Sequence, residues 1–268
     1  MTRLLLASAS PARLLTLRNA GVEPLVLVSN VDEDAAIAEA VQRFGELTPD
    51  QVALVLARAK AEDVAARLLA DSDVPVDVEA TGHSGVAHGS TGLNGSTGLD
   101  GSTGLDASDR LNSSEMSDEA DIVVGCDSVL EIDGEAFGKP ATAEDAIARW
   151  QRMAGARGVL HTGHWLIDVR PDDEGGTGAT LGTTASTGVT FADIDDAEIE
   201  AYVATGEPLR VAGAFTVDGL GGPYVDAIDG DYHNVVGLSL PLLRQLLGDL
   251  QIPWRALREA NSPALSRS

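Results

Sequence analysis

Three hexads in tandem, GSTGLN, GSTGLD and GSTGLD, run from Gly89 to Asp106 and are followed by SDRLNSSEMSDEAD. The stretch from Val74 to Ala120 around them is too polar and glycine-rich to bury a core, and its repeat is too short for a stacked solenoid. It reads as a disordered insertion. Whatever folds must therefore be assembled from the segments on either side of it, so the fold is read from Met1 to about Asp73 and from Asp121 onward. A second polar stretch, PDDEGGTGATLG from Pro171 to Gly182, reads as a loop joining two strands.

Outside those loops, apolar runs of strand length alternate with segments of helical period. Leu4–Leu6 reads as a buried strand, followed by Ser10 as N-cap, Pro11 in the first helical position and Gly21 as the stop. Leu25 to Val28 reads as a strand ending before the acidic VDED of Val31 to Asp34. Thr48 and Pro49 open a helix to about Leu69, with Val52, Leu56, Ala59, Val64 and Leu68 recurring at helical intervals. DIVVGC, Asp121 to Cys126, reads as a strand delivering Asp127 and Ser128 at its C-terminal end. Asp133-Gly134 signals a hairpin, and a helix follows from Ala143 to Met153. Strands are expected near Val159–Thr162, Trp165–Val169 and Ser186–Phe191, a helix from Asp195 to Ala204, strand and loop through AGAFTVDGLGGPYV, and a last helix near Pro241. The pattern predicts an α/β fold, a sheet with helices on its faces.

Charge narrows the possible partners. The chain of 268 residues carries 42 acidic against 18 basic side chains, a formal net charge of -24. Such a surface repels nucleic acid and anionic membranes, but a small polyanion can bind where a few cations converge, because charges beyond about 8 Å are largely screened at physiological salt. No secretion signal and no apolar run of membrane-spanning length is visible, so a cytoplasmic location is the simplest expectation. Cys126 is the only cysteine, which excludes an internal disulfide and a cysteine-based zinc site.

Several residues stand where chemistry is expected. The helix start at Ser10–Arg13 has unpaired N–H groups and a guanidinium, a combination suited to phosphate, though it is also ordinary scaffold in α/β proteins. Open α/β sheets bind ligands beyond the carboxyl ends of their strands, which places Ser10, Arg13, Glu33, Asp127 and Ser128 around one cleft. Lys60 interrupts the alanine-rich ARAKAEDVAA and Lys139 lies in FGKPA; each, read alone, is a solvated side chain before it is a functional one. His161 and His164 read as strand and turn residues, Cys126 as a packed thiol, and Glu207-Pro208 as a turn after a helix. Tyr232 and Asn234 either shape a pocket or support it.

The blocks LLLASASPARLLTLRNAG, DED near Glu33, ARAKAEDVA, VVGCDSVLEIDGEAFGKP, HTGH and EIEAYVATGEPLRVAGAFTVDGLGGPYVDAIDGDYHNVVGLSLPLL, taken in order from Leu4 to about Leu247, resemble the Maf family of nucleoside triphosphate pyrophosphatases. The resemblance implies a single Maf-like α/β domain over residues 1–268, interrupted at 74–120, with a mixed sheet, flanking helices and two lobes around a nucleotide cleft. It implies hydrolysis between the α and β phosphates, with a divalent cation, magnesium or manganese, as cofactor. Asp127 matches the proton acceptor; Ser10, Arg13, Lys60 and Lys139 match polar positions around the phosphates; Glu33, with Asp127, matches the metal site. A homodimer is implied as well.

Where family members often carry two arginines after SxSP, this chain has Ala12 and Arg13. At the positions tied to base selection in the branch specialised for dTTP and UTP stand Ala12, Ser128 and Asp218. An ionised aspartate only accepts hydrogen bonds, so Asp218, which with Ser128 is a substrate-binding candidate, points away from a strict dTTP/UTP preference and toward an exocyclic amino group on cytosine or guanine, or a modified nucleotide. Two other readings stand beside this one: a nucleotide-binding regulator of cell division with little turnover, and an enzyme of the inosine-triphosphate-cleaving type.

Overall fold

A computed structural model of the chain describes residues 2–72 and 119–259. The repeats and most of the expected insertion fall outside the described residues. In chain order the elements are β1 (Leu4–Leu6), α1 (Pro11–Asn19), β2 (Leu25–Val26), α2 (Glu33–Phe44), α3 (Pro49–Ser72), β3 (Ile122–Ile132), β4 (Glu135–Phe137), α4 (Ala143–Met153), β5 (Arg157–Asp168), β6 (Thr180–Phe191), α5 (Asp196–Ala204), β7 (Val225–Asp229), α6 (Tyr232–Val236), α7 (Leu240–Asp249) and α8 (Trp254–Glu259). Short 3-10 turns at Pro208–Arg210, Ala212–Ala214 and Gly222–Tyr224 line the connection from α5 to β7. Among the described residues, no helix is long and apolar enough to cross a membrane.

The strands form one seven-stranded mixed sheet in the order β2-β1-β3-β5-β6-β7, with β4 on the far half of β3. The parallel part ends at β3: β1 runs parallel to both β2 and β3, whereas β5, β6 and β7 are antiparallel. β1 covers only Ile122 to Val124 of β3, and β4 takes up the same edge at Leu130 to Ile132. Between them, among the described residues, that edge of β3 has no strand beside it. This is the carboxyl end of the parallel strands, where ligands of open sheets bind.

Two cores lie along the long strands. Leu4, Leu6, Leu17, Val124, Leu166, Leu243 and Leu247 pack at one end, with the face toward α3 filled by Leu5, Ala61, Val64 and Val123. At the other end Leu130, Trp150, Met153, Leu160, Phe191, Tyr202 and Phe215 form a second cluster, in which Trp150 meets Phe191 and Tyr202 edge-on. β3 and β5 run through both.

The expectations for β1, α1, α3, α4 and α5 hold, with Asp195 as the N-cap of α5 and Gly21 left-handed beyond α1. Others are corrected. β3 does not end at Cys126 but continues through Asp127 and Ser128, and the two strands expected around HTGH are one, because Gly163 is not a break. A Cβ at Gly163 would run into the Ala53 carbonyl of α3, and one at Gly125 into the Ala57 carbonyl. These strand glycines permit close backbone approach rather than a turn. The acidic VDED, for which no element is expected, leads into α2, with the Asp32 side chain accepting from the Ala35 N–H at 3.0 Å. AGAFTVDGLGGPYV contributes 3-10 turns and loop, with β7 beginning only at Val225, and the helix near Pro241 is followed by another.

Candidate active site

Close contact between α3 and the sheet sets the centre of the site. Ala53, Ala57 and Ala61 are fully buried, and the first two lie over Gly163 and Gly125 with no side chain between. That approach brings Lys60, one residue before Ala61, to Asp127, two residues after Gly125. The Lys60 ammonium donates to Asp127 Oδ1 and pairs with Glu33 Oε1 at 2.8 Å. The Lys60 and Asp127 side chains are each 13% exposed, whereas that of Glu33, at the first turn of α2, is 50% exposed.

Asp127 and Ser128 point to opposite faces of β3, as successive strand residues must. Ser128 meets Thr162 Oγ1 at 2.9 Å and accepts from Arg13 Nη2 at 3.0 Å. Arg13 is buried. Its Nε donates to the Gly237 carbonyl at 2.7 Å, and its Nη1 to Ser8 Oγ at 3.0 Å and to the Cys126 carbonyl at 2.8 Å. The Cys126 carbonyl lies on the stretch of β3 between the end of β1 and the start of β4, and the guanidinium supplies the partner that a buried carbonyl requires. Of the five N–H groups of Arg13, four are thus directed at protein atoms, which makes it first a clamp on the Asp127 strand.

The remaining expected residues complete the walls. Ser10 caps α1, accepting from Arg13 N at 3.4 Å. Lys139 follows β4 in a loop whose Gly138 carbonyl accepts from Arg149 Nη1 at 2.7 Å and from Gly213 N at 3.1 Å. Asp218 is exposed on the loop before β7. Ser10, Arg13, Glu33, Lys60, Asp127, Ser128, Lys139 and Asp218 all line one cavity of about 880 Å³, which wraps the open edge of β3. Arg210, Phe215 and Thr216 line it too and were not singled out from the sequence. The side chains of Lys139 and Arg210 make no hydrogen bond or ion pair with the described residues, and both line the cavity. PLR after a helix carries no local signal that its arginine faces a cleft.

The histidines and the thiol lie outside this chemistry. His161 bridges Glu131 and Ser186, each at 2.8 Å, across three strands. His164 is buried; its Nδ1 donates to the Thr162 carbonyl at 3.0 Å and its Nε2 accepts from Ser239 N at 2.8 Å. Burial, helped by the Arg13 charge and opposed by the Thr162 bond, lowers its pKa to about 4, so it is neutral at pH 7. Burial raises the Cys126 thiol to about 11. Asn234 is buried behind the cavity, donating to the Leu160 carbonyl and to Thr187 Oγ1, both at 3.0 Å, while Tyr232 lines a smaller neighbouring cavity of about 280 Å³.

Among the described residues, no three His, Cys, Asp or Glu side chains gather as a preformed metal cage. Glu33 and Asp127 instead converge on one ammonium. Two carboxylates already sharing a positive charge fit a hard divalent cation that takes its remaining ligands from water and phosphate oxygens.

The family model described as Maf-like protein matches residues 3–250. A nucleoside triphosphate pyrophosphatase from Salinispora tropica is 45% identical over 255 residues, 95% of this chain and 87% of that protein. Proteins of the same name from Leifsonia xyli and Streptomyces coelicolor are 44% and 45% identical, covering 95% and 92% of this chain and 96% and 90% of their own lengths.

Proposed function

The chain belongs to the Maf family, and on that premise we propose that it is a nucleoside triphosphate pyrophosphatase, cleaving the α–β phosphoanhydride to a nucleoside monophosphate and pyrophosphate. The observation that carries the reading is the convergence of Lys60, Asp127, Glu33 and Lys139, from four separate elements, on one cavity.

In this reading Asp127 is the general base. Its carboxylate takes a proton from water as the oxygen attacks the α-phosphorus; the bond from that phosphorus to the bridging oxygen breaks, and its electron pair leaves with pyrophosphate. Lys60 orients the carboxylate and lies beside the attacked phosphate. Lys139 and Arg210 have N–H groups to offer the departing oxygens, where negative charge grows. Ser10 and the α1 N-terminus receive phosphate, and Arg13 adds its one uncommitted N–H while holding Cys126 and Ser128 in place. A divalent cation held by Glu33 and Asp127 would neutralise phosphate oxygens and order the attacking water. Ser128 and Asp218 stand beside the base, and the acceptor-only carboxylate of Asp218 favours an exocyclic amino group.

The proposal extends to a homodimer working in the cytoplasm, to residues 1–268 as one domain interrupted at 74–120, and to a surface of net charge -24 that leaves nucleic acid and membranes unbound. Light scattering of the purified chain should give twice the mass of one copy. The central test is pyrophosphate release across natural and modified triphosphates, with Mg²⁺ or Mn²⁺ added or chelated. Asp127→Asn should lower kcat by about 10³-fold or more with nucleotide affinity kept. Unchanged release would remove Asp127 as the base, and a wild-type protein that binds triphosphates without turnover would favour the regulatory reading.

A further inference from the structure

Glu207 lies behind the cavity wall, outside the lining residues, yet four donors converge on its carboxylate. Oε1 accepts from Tyr202 Oη at 2.9 Å, Thr216 Oγ1 at 2.5 Å and Gly221 N at 3.0 Å; Oε2 accepts from Leu220 N at 3.0 Å. Thr216 N donates in turn to Tyr202 Oη at 3.3 Å. No cation pairs with Glu207 among the described residues. Its charge is met by neutral dipoles, and burial, which opposes ionisation, is outweighed by the bonds from Thr216, Leu220, Tyr202 and Gly221, which hold the carboxyl below its usual value.

The donors bracket one short loop. Thr216 stands two residues before Asp218 and Leu220 two after it, while Asp218 itself makes no hydrogen bond or ion pair with the described residues. The place of Asp218 is therefore set by its backbone, and that backbone is fixed by Glu207. The glycines fit this arrangement: a Cβ at Gly219 would come within 2.5 Å of Glu207 Oε2, and one at Gly221 would strike Tyr202 Oη.

We infer that Glu207 is a positioning residue for nucleobase recognition, its carboxylate holding the loop of residues 216–221 so that Thr216 and Asp218 face the bound nucleotide. The inference rests on the nucleotide reading above and adds to it the residue on which base discrimination depends. A carboxylate suits the task because it only accepts; in a glutamine one of the two terminal atoms becomes a donor aimed at another N–H or O–H.

The test compares Glu207→Gln, Glu207→Asp, Tyr202→Phe and Asp218→Ala in pyrophosphate release from triphosphates that differ only in the base, with binding of non-hydrolysable analogues and thermal unfolding measured alongside. Glu207→Gln should raise KM about tenfold and reduce the kcat/KM ratio between the best and worst base about fivefold or more, with kcat changed less than about threefold. Tyr202→Phe, which removes one of the four donors, should move the same ratio in the same direction by a smaller factor, and this reading stands if Glu207→Gln does not fold. Glu207→Asp should recover part of the ratio, and Glu207→Gln with Asp218→Ala should discriminate no worse than Asp218→Ala alone. A Glu207→Gln or Tyr202→Phe protein with lower thermal stability but the wild-type base ratio overturns the inference, as does a double variant whose losses multiply. A wild-type protein that neither hydrolyses nor binds any triphosphate instead sinks the reading beneath it.

Discussion

The two walls of the cavity are held in place by different forces. On the Lys60 side, α3 lies directly on β3 and β5 through Ala53, Ala57 and Ala61 over Gly125 and Gly163, an apolar contact with no titratable group in it. On the Asp218 side, a loop with almost no buried apolar side chain is held by one carboxylate and four donors. The first arrangement places the Asp127 carboxylate and the Lys60 ammonium by shape. The second places Thr216 and Asp218 by hydrogen bonding, so it can be loosened by a single polar substitution while the sheet stays intact. In the proposed reading, chemistry common to every nucleotide rests on packing, and discrimination between nucleotides on a separable polar device.

Breaking the packed wall should have the largest effect. Gly125→Ala forces a methyl group against the Ala57 carbonyl and must lift α3. We expect a loss of about 2–3 kcal/mol, an unfolding midpoint lower by roughly 5–10 °C, and pyrophosphate release near background. A variant as stable and as active as wild type would mean that Lys60 and Asp127 are not placed by that contact. Lys60→Met removes the charge without disturbing the packing. Release should fall about 10²–10³-fold at near-normal thermal stability, and Lys60→Arg should not restore it, because the longer, forked group does not fit between Glu33 and Asp127.

Asp168 provides a second loop held by a carboxylate, far from the cavity. It accepts from Arg170 Nε and Nη2, both at 2.8 Å, from Thr177 Oγ1 at 2.7 Å and from Thr177 N at 3.0 Å. Burial would raise its pKa, but the bonds from Arg170 and Thr177 lower it to about 2. With a folded value below the unfolded one, its stabilisation is complete above about pH 4 and is lost as pH falls toward about 2. Asp168→Asn should therefore be less stable than wild type by about 2 kcal/mol at pH 7, with the gap closing over that window while base discrimination stays unchanged. A gap constant with pH would show that the loop is held by something other than the charge. The smallest effect is expected from Arg149→Met, which takes one donor from the Gly138 carbonyl beside Lys139. KM should rise about two- to fivefold, since Gly213 N still holds the same carbonyl.

What the sequence disclosed followed the range of the forces involved. Ser10, Pro11 and Gly21 mark α1 through local backbone preferences, and the apolar run before Asp127 marks its strand, so both were legible. The register of α3 put Lys60 on a helix, but that it meets Asp127 depends on glycines 125 and 163, whose meaning lies in a helix distant along the chain; read locally, Gly163 looked like a break. α2 was missed although Asp32 caps it and Ile37, Val41 and Phe44 recur at helical spacing; that apolar face is largely exposed rather than buried against the sheet. Glu207 looked like a turn residue, since its partners at 202, 216, 220 and 221 are brought together only by the folded loop. The family resemblance brought out Asp218, and only the fold brought out the residue that holds it.

The continuity of β3 and β5 through both apolar clusters bears on how a triphosphate enters and leaves. Enzymes whose lobes are joined by a thread can swing shut like a jaw. Here the rear of the cleft is a pleated ladder from Ile122 to Glu131, and such a plank can only flex. Traffic into the cavity is then governed at its rim, by the segments bearing Lys139 and Asp218, so turnover should depend on how quickly those margins rearrange rather than on any hinged closure.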